Sequence, residues 1–152
     1  MSGIWTQFSI LNSQFSLMYS HDVQLRVRYG ETDQMGYLYY GRYAEYYEVG
    51  RVETIRSLGM SYKELEEVHG IWLPVVSLES RFVRPAHYDD LLTLRTEIRR
   101  LPDEYITFHT EIFNEKRKLL NAGRVRLCFF DAAAKKVVAA PEMLLERLRG
   151  CF

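Results

Sequence analysis

Tyr29-Gly30-Glu31-Thr32-Asp33-Gln34-Met35-Gly36-Tyr37-Leu38-Tyr39-Tyr40-Gly41-Arg42-Tyr43 is the stretch on which the fold turns, because the hydrophobic period of the chain changes across it. Ahead of it, Val23, Leu25, Val27 and Tyr29 alternate with Gln24, Arg26 and Arg28, a period of two that predicts a half-buried strand over 23–29. Behind it, Tyr39, Tyr43, Tyr46 or Tyr47, Gly50, Thr54 and Leu58 recur every three to four residues and predict a long helix over 39–58, closed by Gly59 as its C′ residue. Gly50 inside that helix costs about 1 kcal/mol relative to alanine. Its presence predicts a close approach by another backbone, as from a sheet wrapped around the helix.

Working outward, Ser61 with Glu64 three positions on has capping-box spacing and opens a short helix over 61–68. Strands are expected over 71–82, 91–100, 105–113 and 119–130, and the short connections between them argue for an antiparallel meander. Pro141, followed by leucines at 144, 145 and 148, opens a closing helix over 141–148. The order predicts an α+β fold, a curled antiparallel sheet of about five strands wrapped around a long central helix. Its edge strands need covering, so two chains are expected to pair edge to edge. Residues 21–152 read as one domain and 1–20 as an N-terminal extension. Met18 as the initiator and residues 1–17 as a docking arm both stand as readings of that extension.

The chain has 152 residues and 18.0 kDa, 47% hydrophobic and 14% aromatic, with twenty basic against twenty acidic side chains. Zero net charge gives no global field to recruit nucleic acid or an anionic membrane, so an anionic ligand needs a local cluster of cations. It also removes one safeguard against self-association. Cys128 and Cys151 lack metal-ligand spacing, as do His21, His69, His87 and His109, so no metal is expected and a reducing cytoplasm is the simplest compartment. Cys128 reads as a small core hydrophobe. No run of about 18 apolar residues predicts a membrane span.

Chemistry is expected at Asp33, between Gly30 and Gly36 and just before the long helix. One reading is an Asx-turn or capping aspartate. The other places a carboxylate beside helix N-terminal amides, which lack partners and carry about half a positive charge. Such amides can hold an oxyanion in acyl transfer, where one donor is worth roughly 3–4 kcal/mol.

Tyr-x-x-Thr-Asp-x-x-Gly-x-x-Tyr from Tyr29, an aromatic helix with Tyr46-Tyr47-Glu48 and Arg51, and then Phe82-Val83-Arg84-Pro85-Ala86-x-Tyr88-x-Asp90 resemble the hotdog-fold acyl-CoA thioesterases of the 4-hydroxybenzoyl-CoA thioesterase and YbgC type. The likeness runs over 23–131. It implies a hotdog fold, a homodimer or homotetramer with sites at the subunit boundary, and hydrolysis of an acyl-CoA thioester without a further cofactor, CoA being part of the substrate. Asp33 matches the catalytic carboxylate, as nucleophile or general base. Tyr40, with Gly41 beside it, matches the residue whose amide polarises the carbonyl; where the YbgC branch usually carries histidine, this chain has tyrosine. Tyr29, Gly36, Tyr39 and Tyr43 would shape the substrate channel. Arg99-Arg100 or Lys116-Arg117-Lys118 would meet the phosphates, unless each is a solvated turn. Glu48 and Arg51 read as a structural ion pair. The alternative on the same fold is a module that binds acyl-CoA or acyl carrier protein without hydrolysing it.

Overall fold

In the computed structural model, which describes residues 17–152, the first elements are strand β1 (Tyr19–Arg26), helix α1 (Tyr43–Ser57) and short helix α2 (Tyr62–Glu67). Then come β2 (Ile71–Trp72), β3 (Val75–Phe82), β4 (Leu91–Ile98), β5 (Tyr105–Phe113), β6 (Leu119–Asp131), β7 (Lys136–Val138) and helix α3 (Glu142–Arg149). Every strand pair is antiparallel, in the order β1-β4-β5-β6 with β3 on the far side of β6, while β2 and β7 are short additions to the end of β6. Residues 1–16 of the extension lie outside the described residues, and β1 starts at Tyr19, ahead of the boundary at 21.

The expected meander holds for β4, β5 and β6 only. β3 pairs with β6 and not with β4, because the connection at 83–90 crosses the end of the sheet. Both Val83 N and Arg84 N donate to Leu120 O at 2.9 Å, Ala86 O accepts from Leu38 N at 2.8 Å and Asp90 O from Val27 N at 3.0 Å. Three strand spacings of about 4.8 Å separate β3 from β4, roughly 14 Å that this extended segment spans. The strand expected over 71–82 breaks at Leu73–Pro74, where proline has no amide to give the ladder. The first strand ends at Arg26 and not at Tyr29, since Tyr29–Glu31 turns into one 3₁₀ turn.

Inward residues of β5 and β6, among them Ile106, Phe108, Ile112, Val125, Leu127 and Phe129, are buried together with Tyr43, Tyr46, Tyr47 and Ile55 of α1. A Cβ on Gly50 would lie 2.5 Å from Oγ1 of Thr96. The neighbour that excludes a side chain there is therefore a β4 hydroxyl, itself 3.0 Å from Thr110 Oγ1, and not the backbone expected. Gly123 of β6 makes the reciprocal room, because a Cβ there would lie 2.2 Å from Cζ of Tyr47. The Tyr47 hydroxyl is hydrogen-bonded to Asn121 Oδ1 and, at 2.6 Å, to Ser80 Oγ. β3 has no strand on its outer edge among the described residues, and Val75, Val76, Leu78 and Phe82 on it are exposed.

Candidate active site

Two segments far apart in the chain build the site. Thr32 bridges Leu38, and Asp33 N donates to Tyr37 O at 2.8 Å, which closes a tight turn with Gly36 in the left-handed region at φ 80°. The crossing segment holds this turn from outside, through the Leu38–Ala86 bond and a bridge from Tyr37 to His87. The two motifs, which start at Tyr29 and Phe82, are thus one structural unit.

Within the turn, Oδ1 of Asp33 accepts from the amides of Met35 (2.9 Å) and Tyr37 (3.2 Å), an Asx-turn. Oδ2 has no hydrogen-bond partner among the described residues. The residue is half-buried and lines a groove of about 280 Å³ with Met35, Tyr37, Tyr40, Tyr43 and the stretch Phe82–Pro85. Asp33 therefore closes a turn, as the first reading has it, and also lines a groove.

The expected helix over 39–58 begins as a 3₁₀ turn, Tyr40–Arg42, before α1. Tyr39 N donates to Glu31 O at 2.9 Å and Arg42 N to Tyr39 O at 2.9 Å, leaving the amides of Tyr40 and Gly41 without a partner among the described residues. A Cβ at Gly41 would lie 2.6 Å from the exposed Tyr39 ring, which would have to shift to admit it. The groove beside these amides is largely apolar. Burial, with the nearby Tyr47 a smaller cause, pushes the Tyr43 hydroxyl up to about 12, so it stays protonated at neutral pH.

Of the tyrosines expected to shape a channel, Tyr43 lines this groove and Tyr29 and Tyr39 do not; Tyr40, expected as the carrier of the polarising amide, lines it too. Tyr29 is 79% exposed and stacks edge-on against Tyr88, while Tyr39 lies over Tyr40 and Gly41. Arg99 and Arg100 line a separate groove of about 510 Å³ on the outer face of the sheet, with Arg124, Arg126 and His109. The Lys116–Lys118 hairpin is elsewhere: Lys116 lies near Arg84 and Asp90, Arg117 near Asp22 and Arg95, and Lys118 N donates to Asn114 Oδ1. Arg51 is mostly buried and its Nη2 is 3.9 Å from Glu48 Oε2. Among the described residues no group of three or more His, Cys, Asp or Glu could hold a metal ion, and no helix is long and apolar enough to cross a membrane.

Arg124 and Arg126 were readable in principle, since alternate positions on a strand share a face. Glu31 gave a weaker signal, an acid three residues after Arg28. It is 5% exposed, and its carboxylate accepts from Arg28 N (2.8 Å), Arg28 Nε (3.1 Å), Arg28 Nη2 (2.7 Å) and the Tyr46 hydroxyl (2.7 Å). Burial pushes its pKa up, but the bonds from Arg28 and Tyr46 outweigh that and hold it below the usual glutamate value.

An antiparallel sheet curled about one long helix, entered through a carboxylate-bearing turn, is the hotdog fold in its thioesterase class. The chain belongs to the thioesterase-like superfamily, whose family model matches residues 27–148. It is 36% identical over 119 residues to YneP of Bacillus subtilis (strain 168), covering 75% of this chain and 83% of YneP. To the acyl-CoA thioester hydrolase YbgC of Escherichia coli O6:H1 it is 28% identical over 125 residues, covering 82% of this chain and 92% of YbgC. The crystal structure of a DHNA-CoA thioesterase from Staphylococcus aureus superposes with a TM-score of 0.74 at 31% identity, covering 79% of this chain and 80% of that one.

Proposed function

We propose that this protein hydrolyses an acyl-CoA thioester to the free acid and CoA, with Asp33 as nucleophile or general base and the amides of Tyr40 and Gly41 as the oxyanion donors. The observation that carries the reading is that one apolar groove is lined both by Asp33, whose Oδ2 has no partner among the described residues, and by Tyr40, where a helix start leaves the amides of Tyr40 and Gly41 unpartnered among the described residues. As a nucleophile, Oδ2 attacks the thioester carbon, the C–S bond breaks, and water then cleaves the mixed anhydride. As a base, it takes a proton from the attacking water and returns it to the departing thiolate. Either way the carbonyl oxygen gains charge, which the two amides stabilise.

No further cofactor or metal is needed, since the CoA thiol is a competent leaving group with an ordinary thiol pKa of about 8.5. We assign the phosphates of CoA to the groove of Arg99, Arg100, Arg124 and Arg126. Arg126 lies 3.9 Å over the Tyr105 ring, which orders its guanidinium, and Arg99 and Arg124 are already drawn toward Glu97 and Glu79. The open apolar edge of β3, which runs into Phe82 of the Asp33 groove, supports pairing with a second copy as a homodimer or a dimer of dimers. The free thiols of Cys128 and Cys151 fit a reducing cytoplasm.

The test is thiol release from a panel of acyl-CoAs that varies chain length and aromaticity. Turnover of at least one member is expected. Thermal protection of the protein by acyl-CoA with no thiol released over hours would overturn hydrolysis in favour of a binding module.

A further inference from the structure

We propose that Glu31 is a positioning residue of this site, a node that ties the turn carrying Asp33 to the helix start carrying the Tyr40 and Gly41 amides; this rests on the reading of Asp33 as the reacting group. The turn that carries Asp33 leaves from Thr32 and returns at Leu38, a bridged pair, and both of its ends are tied to Glu31. On one side Thr32 follows Glu31 directly. On the other, Glu31 O accepts the amide of Tyr39, the residue that opens the 3₁₀ turn ahead of α1.

The side chain then fastens this node to the rest of the fold. Four donors on two oxygens leave the carboxylate one orientation, with the Arg28 fork on one side and the Tyr46 hydroxyl of α1 on the other. Tyr46 lies five residues beyond Gly41, roughly 8 Å along the axis at the α-helical rise. A displacement of α1 therefore moves the amides and the turn together. Glu31 itself does not line the groove and both of its oxygens are occupied, so it acts through Asp33 and not on a substrate. A buried carboxylate in an ion pair is weak evidence for stability, whereas a shift of about 1 Å in reacting groups can cost about a hundredfold in rate.

Glu31→Gln keeps the shape and removes the charge, and Tyr46→Phe removes one donor; the latter serves if the former does not fold. Each is expected to lower kcat at least about tenfold with KM within about twofold, well below the melting temperature. In an Asp33→Asn background the loss caused by Glu31→Gln should shrink, because the group it positions is already gone. Ser61→Ala, which removes the cap of α2 away from the site, should lower the melting temperature and leave kcat alone. Amide hydrogen exchange gives a readout independent of activity: at Tyr37, Leu38 and Tyr39 it should speed up about tenfold or more in Glu31→Gln while β4 to β6 keep their protection. Unchanged exchange in the turn overturns the positioning role even if the wild type cleaves no thioester. A kcat within twofold of wild type, a loss confined to KM, or an equal loss in both backgrounds overturns it as well. Wild-type inactivity with exchange altered as expected would remove the hydrolase reading alone.

Discussion

Asp33→Asn separates the turn-closing hydrogen bonds of the side chain from the catalytic role proposed for it. Asparagine keeps an Oδ1 that accepts the Met35 and Tyr37 amides, so the turn is expected to persist, while the anionic oxygen facing the groove is lost. Loss of a general base lowers the rate by about 10² to 10⁴, which at about 1.36 kcal/mol per decade is roughly 2.7–5.4 kcal/mol of transition-state stabilisation. Asp33→Ala loses the same oxygen and both amide bonds besides. At about 0.5–1.5 kcal/mol net for each, its folded state should lose roughly 1–3 kcal/mol, a fall of about 2–12 °C in melting temperature for a chain of this size. The assay is thiol release from the best acyl-CoA, with a thermal melt of each variant alongside. Asn and Ala variants equally inactive, with only the latter destabilised, is the expected pattern. An Asn variant within about threefold of wild type, beside a crippled Ala variant, would leave Asp33 with the turn alone and refute the chemistry assigned to it.

Gly123→Ala should destabilise by about 1–3 kcal/mol in a denaturant melt, because its methyl would enter the Tyr47 ring that Ser80 and Asn121 hold in place. In acid, Glu31 and Asp22 carry pKa values below the ordinary carboxylate range, Glu31 through Arg28 and Tyr46 against burial and Asp22 chiefly through its hydrogen bond to Arg95. Carboxyls lowered in this way contribute stability that is complete above their unfolded pKa values, 4.5 and 3.8, and lost as pH falls through the lower folded ones. Stability should therefore drop from about pH 5 downward, less steeply in Glu31→Gln, with solvent screening reducing the share of the exposed Asp22. Burial, then Arg99 and Arg124, hold His109 below 6.5, so protonation there opposes folding and stability should also fall as pH drops below that value. CoA in the arginine groove would neutralise those cations and raise the His109 pKa in an NMR titration; an unmoved pKa with CoA bound would exclude the groove as the phosphate site.

What the sequence determined by itself is local. A period of two, then one near 3.6, is a statement about side chains on neighbouring turns and pleats, so β1, α1 and β4 to β6 were legible, as was Gly59 at the end of α1, observed at φ 81°, whereas β7 was not expected and the strand over 71–82 divides into β2 and β3. The turn that carries Asp33 was legible because glycines and a helix start surround it, and the resemblance carried the family. Tertiary structure alone decided which elements meet. β3 lies against β6 across register pairs some 40 to 50 residues apart, Phe82–Pro85 come to face Asp33, Arg99 joins Arg124, and Glu31 turns inward to Tyr46. No spacing along the chain encodes those meetings: each depends on how a whole sheet closes over one helix, where burial and hydrogen-bond satisfaction are settled jointly by residues that periodicity treats as independent.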